Sequence, residues 1–295
     1  MQDKAAVRMP EMPLAFIKTK WGWQVAPPGD QFVTGSYRMW GVYSEVEVQI
    51  LRGLLRPGEV AIVAGGNIGG VAVPLALAGA SVLTFEPQPL LAKLLEANVA
   101  LAGVQAGVRV RNAALGQADG SIQVPVIRFD SPYNMGRFGK EDWEAVAKSE
   151  DEHRKAASVE VPMVAFGSLM SAIRPRLVLL DVEGMELELL RAMGDRREAG
   201  GQRPLLWVEA DRPEQYKGLM DWMVEAGYRA YWAITPLTPA GVSPDEGPWP
   251  MQASFNLLCV PDEQDIPVDG LRRAQYDDPV GNCPANWIIT GVEVG

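Results

Sequence analysis

Two short segments of the sequence carry the residue types that binding or catalytic sites use. The first is the glycine-rich turn Gly65–Gly70 (GGNIGG), which Glu86 follows at a distance of about 20 residues. Missing β-carbons let a backbone approach a ligand, and a carboxylate at this spacing can accept hydrogen bonds from ribose hydroxyls. The pair predicts an adenosine-type ligand, and a tight turn beside a solvated acid is the alternative.

The second segment is acidic and contains Asp181, Glu183 and Glu186. Neighbouring carboxylates raise each other's pKa, which suits a general base, and we expect this role for Asp181. The structural alternative is that Asp181 caps the next helix and that the two glutamates lie in its first turn. Both interpretations stay open for Glu183, whereas Glu186 is expected to be structural. Two acids do not define a magnesium site, so no metal is predicted.

The elements around these segments alternate between strands and helices. Apolar runs predict strands at 60–63, 81–85, 108–111, 177–180, 205–208, 228–233 and 254–260, and helical patterns occur at 71–79, 88–102 and 213–226. Such alternation predicts an α/β fold with a mostly parallel sheet. Parallel sheets bind ligands at the carboxyl ends of their strands, where both segments lie.

The remaining sequence is expected to form three additions to this sheet. Residues 1–44 are aromatic-rich and predict an irregular or hairpin-containing cap, not a regular helix, with Ser44 and Glu47 forming a capping box for the next helix. We expect the main domain at 45–261, with an insertion at about 121–165, and a packed tail at 262–295. Trp21, Trp23 and Trp40 are expected to form a lid over a sugar or, more commonly for such residues, core contacts.

Composition excludes several classes of protein. The hydrophobic fraction of 47% is ordinary for a globular protein, and the net charge of −10 argues against nucleic acid as the main partner. Cys259 and Cys283 cannot build a disulfide framework, and we expect Cys259 in the core. No apolar run of about 18 residues and no secretory signal is seen, which predicts a cytoplasmic protein without a membrane span. The single histidine, His153, is expected at the surface.

Several motifs resemble one known family when they are taken together in this order. They are residues 60–69, the sequence FEP at 85–87, Asn98, AALG at 113–116 and LDVEGME at 180–186. They resemble the FkbM-type S-adenosylmethionine-dependent methyltransferases over roughly residues 45–260. The resemblance implies the class I, Rossmann-like methyltransferase fold, which has a seven-stranded, mostly parallel sheet with helices on both faces and an antiparallel last strand.

The resemblance also implies a set of site residues and S-adenosylmethionine as the cofactor. Asp181 and Glu183 would face the transferred methyl group. Tyr133 and Asn134 lie where the family often has a substrate-facing loop and would hydrogen-bond an acceptor, with a plain surface loop as the alternative. Glu209, which ends a predicted strand, is expected from that position to reach the acceptor pocket. The implied cofactor-binding residues are Gly65, Gly66, Asn67 and Gly69 in the turn, Glu86 at the ribose, and Asn112 and Ala113 at the adenine.

The expected reaction is O-methylation of a small-molecule or glycan-like acceptor, with N-methylation of an amide or peptide as an alternative. Three departures from the family, Val63, Leu179 and Gly167, leave open a degenerate binding module with weak or no cofactor binding. An NAD-linked oxidoreductase is disfavoured, because Asn67 replaces the third-position glycine of the dinucleotide turn. A homodimer is one candidate oligomeric state.

Overall fold

A computed structural model describes residues 14–125, 136, 158–194, 202–246 and 252–290. The strands are Ala15–Thr19 (β1), Gly22–Ala26 (β2), Val60–Ala64 (β3), Ser81–Phe85 (β4), Val108–Arg111 (β5), Ala114–Gly116 (β6), Gly120–Pro125 (β7), Ser158–Ala165 (β8), Leu177–Leu180 (β9), Leu205–Glu209 (β10), Tyr228–Pro236 (β11), Ala253–Pro261 (β12) and Arg272–Arg273 (β13). The α-helices are Val33–Trp40 (α1), Glu45–Gly53 (α2), Ala72–Leu77 (α3), Pro89–Leu101 (α4), Phe166–Ala172 (α5), Glu186–Met193 (α6) and Pro213–Ala226 (α7).

The main sheet has the order β13-β11-β12-β10-β9-β3-β4-β5. Strands β10, β9, β3, β4 and β5 run parallel to their neighbours within that set, and β12 is antiparallel to both β10 and β11. The predicted fold class is therefore confirmed, with eight strands in place of seven. The extra strand β13 comes from the tail and has two residues, too few for an apolar pattern to reveal it.

Helices cover both faces of this sheet because its central strands are buried on both sides. Along β3, Ile62 belongs to one core cluster, whereas its neighbours Ala61 and Val63 belong to the other. Helices α5, α6 and α7 pack on the first face, and α2, α3 and α4 pack on the second. Among the described residues, no helix combines the length and the apolarity needed to cross a membrane.

The N-terminal segment contains the expected hairpin, β1 paired with β2, and also a helix that was not expected. Helix α1 includes a glycine and begins after Phe32, which cannot cap it, so local propensity does not favour it, although the carboxylate of Asp30 accepts from the N–H of Thr34 at 2.7 Å. Tertiary packing supplies its stability, since Val33 and Tyr37 are buried against Ile68 and Leu91. Helix α2 begins after Ser44 as expected, but without a capping box.

The described parts of the predicted insertion contribute β7 and β8, which form a separate three-stranded sheet with the preceding strand β6 in the order β6-β8-β7. Strand β8 runs parallel to β6 and antiparallel to β7. The expectations for Tyr133, Asn134 and His153 concern positions outside the described residues.

Candidate active site

A cavity of about 780 Å³ opens at the carboxyl ends of β3, β4, β9 and β10. This volume lies within the range of about 300–1,000 Å³ that is usual for small-molecule sites. The sheet topology thus brings the glycine turn and the acidic segment to one place, as the strand-end rule requires. The predicted site residues that line the cavity are Gly65, Gly66, Asn67, Glu86, Ala113, Asp181, Glu183 and Glu209.

The glycine turn is tight because two neighbouring strands meet there. Gly65 has φ +88°, and a β-carbon on it would lie 1.8 Å from the carbonyl oxygen of Asp181. The N–H groups of Gly65 and Gly66 donate to the carbonyl oxygen of Phe85, at 3.0 and 2.9 Å. The packing of the protein itself therefore requires the first glycine, and these two N–H groups have partners within the chain.

Replacing Gly65 by alanine is expected to lower the free energy of unfolding by more than about 3 kcal/mol. The reason is that the left-handed backbone strain adds to a clash with backbone atoms that cannot move away. Gly103→Ala is the matched control, because Gly103 has φ +71° and free space around the added β-carbon, so it should cost only about 1 kcal/mol. Chemical denaturation measures both values, and equal losses would contradict the assigned clash.

Glu86 is held in place by two backbone hydrogen bonds. Its Oε2 accepts from the N–H of Asn67 and its Oε1 from the N–H of Gln88, each at 2.8 Å. The side chain is 5% exposed, and burial raises the pKa of Glu86 to about 7, although both hydrogen bonds lower it. Each carboxylate oxygen keeps a second acceptor position. The group is therefore preorganised to accept two hydroxyl donors from a diol.

Two predicted cofactor residues support the turn and are not among the described residues that line the cavity. The side-chain amide of Asn112 donates to the carbonyl oxygens of Glu86 and Pro87, at 2.9 and 3.0 Å. A β-carbon on Gly69 would lie 2.8 Å from Cδ1 of Leu95, so this glycine allows α4 to pack closely. Asn112 thus orients the segment that carries Glu86.

Three carboxylates meet on the other side of the glycine turn. Oxygen atoms of Asp181, Glu183 and Glu209 all lie within 4.8 Å of one another, a grouping that could also hold a metal ion. Arg212 neutralises two of them, with Nη2 at 2.6 Å from Glu183 Oε2 and Nη1 at 2.7 Å from Glu209 Oε2. Asp211 also accepts from Arg212 Nη1, at 2.8 Å.

Asp181 differs from its two neighbours in having no such partner. Among the described residues, no hydrogen bond or ion pair reaches its carboxylate, which is accessible from the cavity. Asp181 is exposed to the cavity, but the surrounding cavity walls still raise the pKa of its carboxyl above the ordinary value, first through desolvation and then through Glu209 and Glu183. Burial likewise raises the pKa of Glu183 to about 7, while Arg212 lowers it. Asp181 is therefore the carboxylate most available for proton transfer.

The turn after β9 is fixed by residues other than Asp181. Glu183 has φ +54°, and Glu186 Oε1 accepts from the N–H groups of Val182 and Gly184, at 3.0 and 3.1 Å. Helix α6 begins with Met185 at its N-cap, so Asp181 does not cap it. Glu186 has the structural role that we expected, and the capping alternative for Asp181 is wrong.

Glu47 and Tyr43 line the same cavity and were not predicted as site residues. The carboxylate of Glu47 accepts from Trp207 Nε1 at 2.9 Å and from Ser44 Oγ at 2.6 Å. This side-chain contact replaces the predicted capping box, since Ser44 makes no cap hydrogen bond. An acid on the buried face of the apolar segment 45–51 was the available sequence signal for Glu47.

The three departures from the family pattern are apolar or small positions in this fold. Val63 and Leu179 are 1% and 2% exposed and belong to one core cluster. Gly167 lies in helix α5, and a β-carbon there would be 2.6 Å from the carbonyl oxygen of Ala192. An aspartate does not fit at Gly167, and Arg212 supplies a cation next to the carboxylates from another element.

The cap tryptophans and the cysteines contribute no side chain to the described cavity lining. Trp21 is buried with Arg52 above its ring at 5.2 Å, whereas Trp23 is 52% exposed. Cys259 is fully buried in β12, which confirms the expected core position. Desolvation raises the pKa of Cys283 to about 11, so neither thiol is a ready nucleophile.

Comparison with solved structures gives distant similarities, each with a TM-score below 0.5. A precorrin-6y C5,15-methyltransferase from Geobacter metallireducens has a TM-score of 0.42 at 11% identity, over 72% of this chain and 86% of that chain. An O-methyltransferase from Thermotoga maritima has 0.38 at 11% identity, over 75% and 66%. A Pyrococcus abyssi tRNA (uracil-54, C5)-methyltransferase has 0.45 at 13% identity, over 83% and 44%.

A search among curated proteins found no sequence match. The model of the methyltransferase FkbM domain matches residues 64–230, more than half of the chain, and this range contains the glycine turn, Glu86 and all three clustered carboxylates. The cavity and the preorganised acceptor Glu86 fit an adenosine-type cofactor. The chain therefore belongs to the FkbM methyltransferase family, whose methyl donor is S-adenosylmethionine.

Proposed function

We propose that the protein transfers a methyl group from S-adenosylmethionine to an oxygen of a small-molecule or glycan-like acceptor. The observation that carries the proposal is that one cavity contains Glu86, whose carboxylate is oriented to accept from a diol, and Asp181, whose carboxylate has no partner among the described residues. The volume of about 780 Å³ must hold the cofactor as well, which favours a small acceptor or one sugar unit of a larger one.

The proposed cofactor side comprises the turn at Gly65–Asn67, Glu86 and Ala113. Glu86 would accept hydrogen bonds from the ribose hydroxyls, with its carboxylate already oriented by Asn67 and Gln88. S-adenosylmethionine supplies an electrophilic methyl group when it is bound. The chain's own contribution is to position the donor and exclude water from the reacting atoms.

On the proposed acceptor side, Asp181 takes the proton of the acceptor hydroxyl as the oxygen gains its methyl group. A raised pKa suits this task because a base is most effective when its pKa lies near the working pH. Glu183 and Glu209 would orient the acceptor while Arg212 fixes their positions. The cytoplasm is the proposed compartment, and the free thiols of Cys259 and Cys283 support it.

Saturating S-adenosylhomocysteine is expected to raise the thermal midpoint of the wild-type protein by several degrees. A ligand at about 100 times its Kd adds about 2.7 kcal/mol to the free energy of unfolding. Glu86→Ala should abolish this shift, whereas Glu96→Ala, an exposed acid on α4, should keep it. Differential scanning fluorimetry with NAD as a comparison ligand measures all three proteins.

The affinity should also depend on pH through Glu86. Since its folded-state pKa is raised to about 7, binding that favours the charged carboxylate releases a proton below that pH. Affinity for S-adenosylhomocysteine should therefore fall by up to about tenfold per pH unit below 7, with a weaker slope in Glu86→Gln.

In the thermal-shift experiment, no shift in the wild type would instead support the degenerate binding module, and a shift with NAD alone would support the oxidoreductase.

A further inference from the structure

Asn98 of helix α4 connects the N-terminal hairpin to the glycine turn. Its Oδ1 accepts from the N–H of Val25 at 2.6 Å, and its Nδ2 donates to the carbonyl oxygens of Val25 at 3.0 Å and Ile68 at 2.8 Å. The side chain is fully buried, so no water replaces these bonds. One amide thus holds β2, α4 and the turn together.

The hydrogen bonds continue from this amide to the proposed ribose acceptor. The N–H of Ile68 donates to Oδ1 of Asn67 at 2.7 Å, and the N–H of Asn67 donates to Glu86 Oε2 at 2.8 Å. Asn67 is held at φ +46°, a conformation that few side chains adopt. A displacement of Ile68 would therefore also move the backbone donor that orients Glu86.

The segment that Asn98 holds also forms part of the cavity. Phe32, Val33 and Tyr43 line it, and all three precede residue 64, where the match to the family domain begins. Val25 and Val33 pack in one cluster with Ile68 of the turn. The N-terminal segment is thus part of the cavity wall. Asn98, which bonds to Val25 of this segment, is not among the described residues that line the cavity.

We propose that Asn98 is a positioning residue that couples docking of the N-terminal segment, residues 14–44, to cofactor binding. The inference rests on the proposed function for the identity of the ligand. Coupling is reciprocal: if the docked segment favours the ligand, the ligand favours the docked segment by the same factor. Cofactor binding is then controlled partly from outside the family domain.

Asn98→Asp tests whether docking of the N-terminal segment favours cofactor binding. It keeps the size of the side chain and one acceptor but removes both donor N–H bonds, to Val25 and to Ile68. We expect the Kd for S-adenosylhomocysteine, measured by calorimetry, to rise at least about fivefold. Val99→Ala is the matched control. Val99 is buried on the same helix but belongs to a core cluster that does not include Val25 and Ile68, so the variant should be less stable than the wild type and keep the wild-type Kd. Asn98→Ala serves as a second variant.

Hydrogen exchange tests the reverse direction of the coupling, in which the ligand favours docking of the N-terminal segment. S-adenosylhomocysteine should slow amide exchange in β1 and β2 of the wild type, and this extra protection should be lost in Asn98→Asp. A merely structural role would lower basal protection but leave the ligand-induced difference intact. If the wild type binds the ligand and both Asn98 variants keep the wild-type Kd and protection, the coupling is refuted. If the wild type itself does not bind, the proposed function fails instead.

Discussion

Asp181→Asn is expected to lower kcat for methyl transfer by about 10²–10⁴-fold, the usual contribution of a general base. The Kd for S-adenosylhomocysteine should stay within about threefold of wild type, because a base acts on the transition state and not on cofactor binding. The measurement is transfer of labelled methyl to the acceptor found active with the wild-type protein. The same variant should gain stability relative to the wild type as the pH rises above the ordinary pKa of an aspartate, since the amide removes a carboxylate whose ionisation the fold disfavours.

Glu214→Gln is the matched control for Asp181→Asn. Glu214 is an exposed acid in the first turn of α7, and its loss should change neither kcat nor Kd. A kcat within about threefold of wild type in Asp181→Asn would assign proton removal to another group or to solvent. Joint loss of activity and cofactor binding would place Asp181 at the cofactor.

Arg212→Ala is expected to lower the free energy of unfolding by about 3 kcal/mol at about pH 8.5, because it leaves Glu183 and Glu209 without their cation. The sign of the pH dependence follows from the raised pKa values of both glutamates. An acid whose folded-state pKa is raised destabilises the fold as pH rises from the unfolded value towards the folded one. The loss should therefore be clearly smaller at about pH 5, where the carboxylates take up protons.

Chemical denaturation at both pH values measures this effect, and a triple variant isolates its cause. Adding Glu183→Gln and Glu209→Gln to Arg212→Ala should recover most of the lost stability, since no uncompensated charge remains. Arg191→Ala, at an exposed position of α6, is the control and should have little effect. A loss that is independent of pH and not recovered by the glutamine substitutions would assign Arg212 a packing role only.

The sequence by itself determined the sheet and its ligand-binding edge. Strand β9 is continuously apolar because both of its faces are buried, and the strands alternate with helices of ordinary length, so local patterns were sufficient to predict them. The glycine turn, Glu86 and Asp181 each follow a strand directly. In a parallel sheet such positions meet at one edge, and their proximity could therefore be predicted without knowing any side-chain contact.

Only the tertiary structure decided which groups form hydrogen bonds and ion pairs with the residues in and around the site. Arg212 is 29 positions from Glu183, Asn98 is 73 from Val25, and Glu47 is 160 from Trp207, and no local period links such pairs. Helix α1 likewise depends on packing against the turn, because its own propensity is weak. Local patterns report burial and strand ends, whereas hydrogen bonds between distant elements depend on how those elements pack. For that reason the carboxylates were predictable from the sequence, whereas the cation that pairs with two of them and the hydrogen bonds of the Asn98 amide were not.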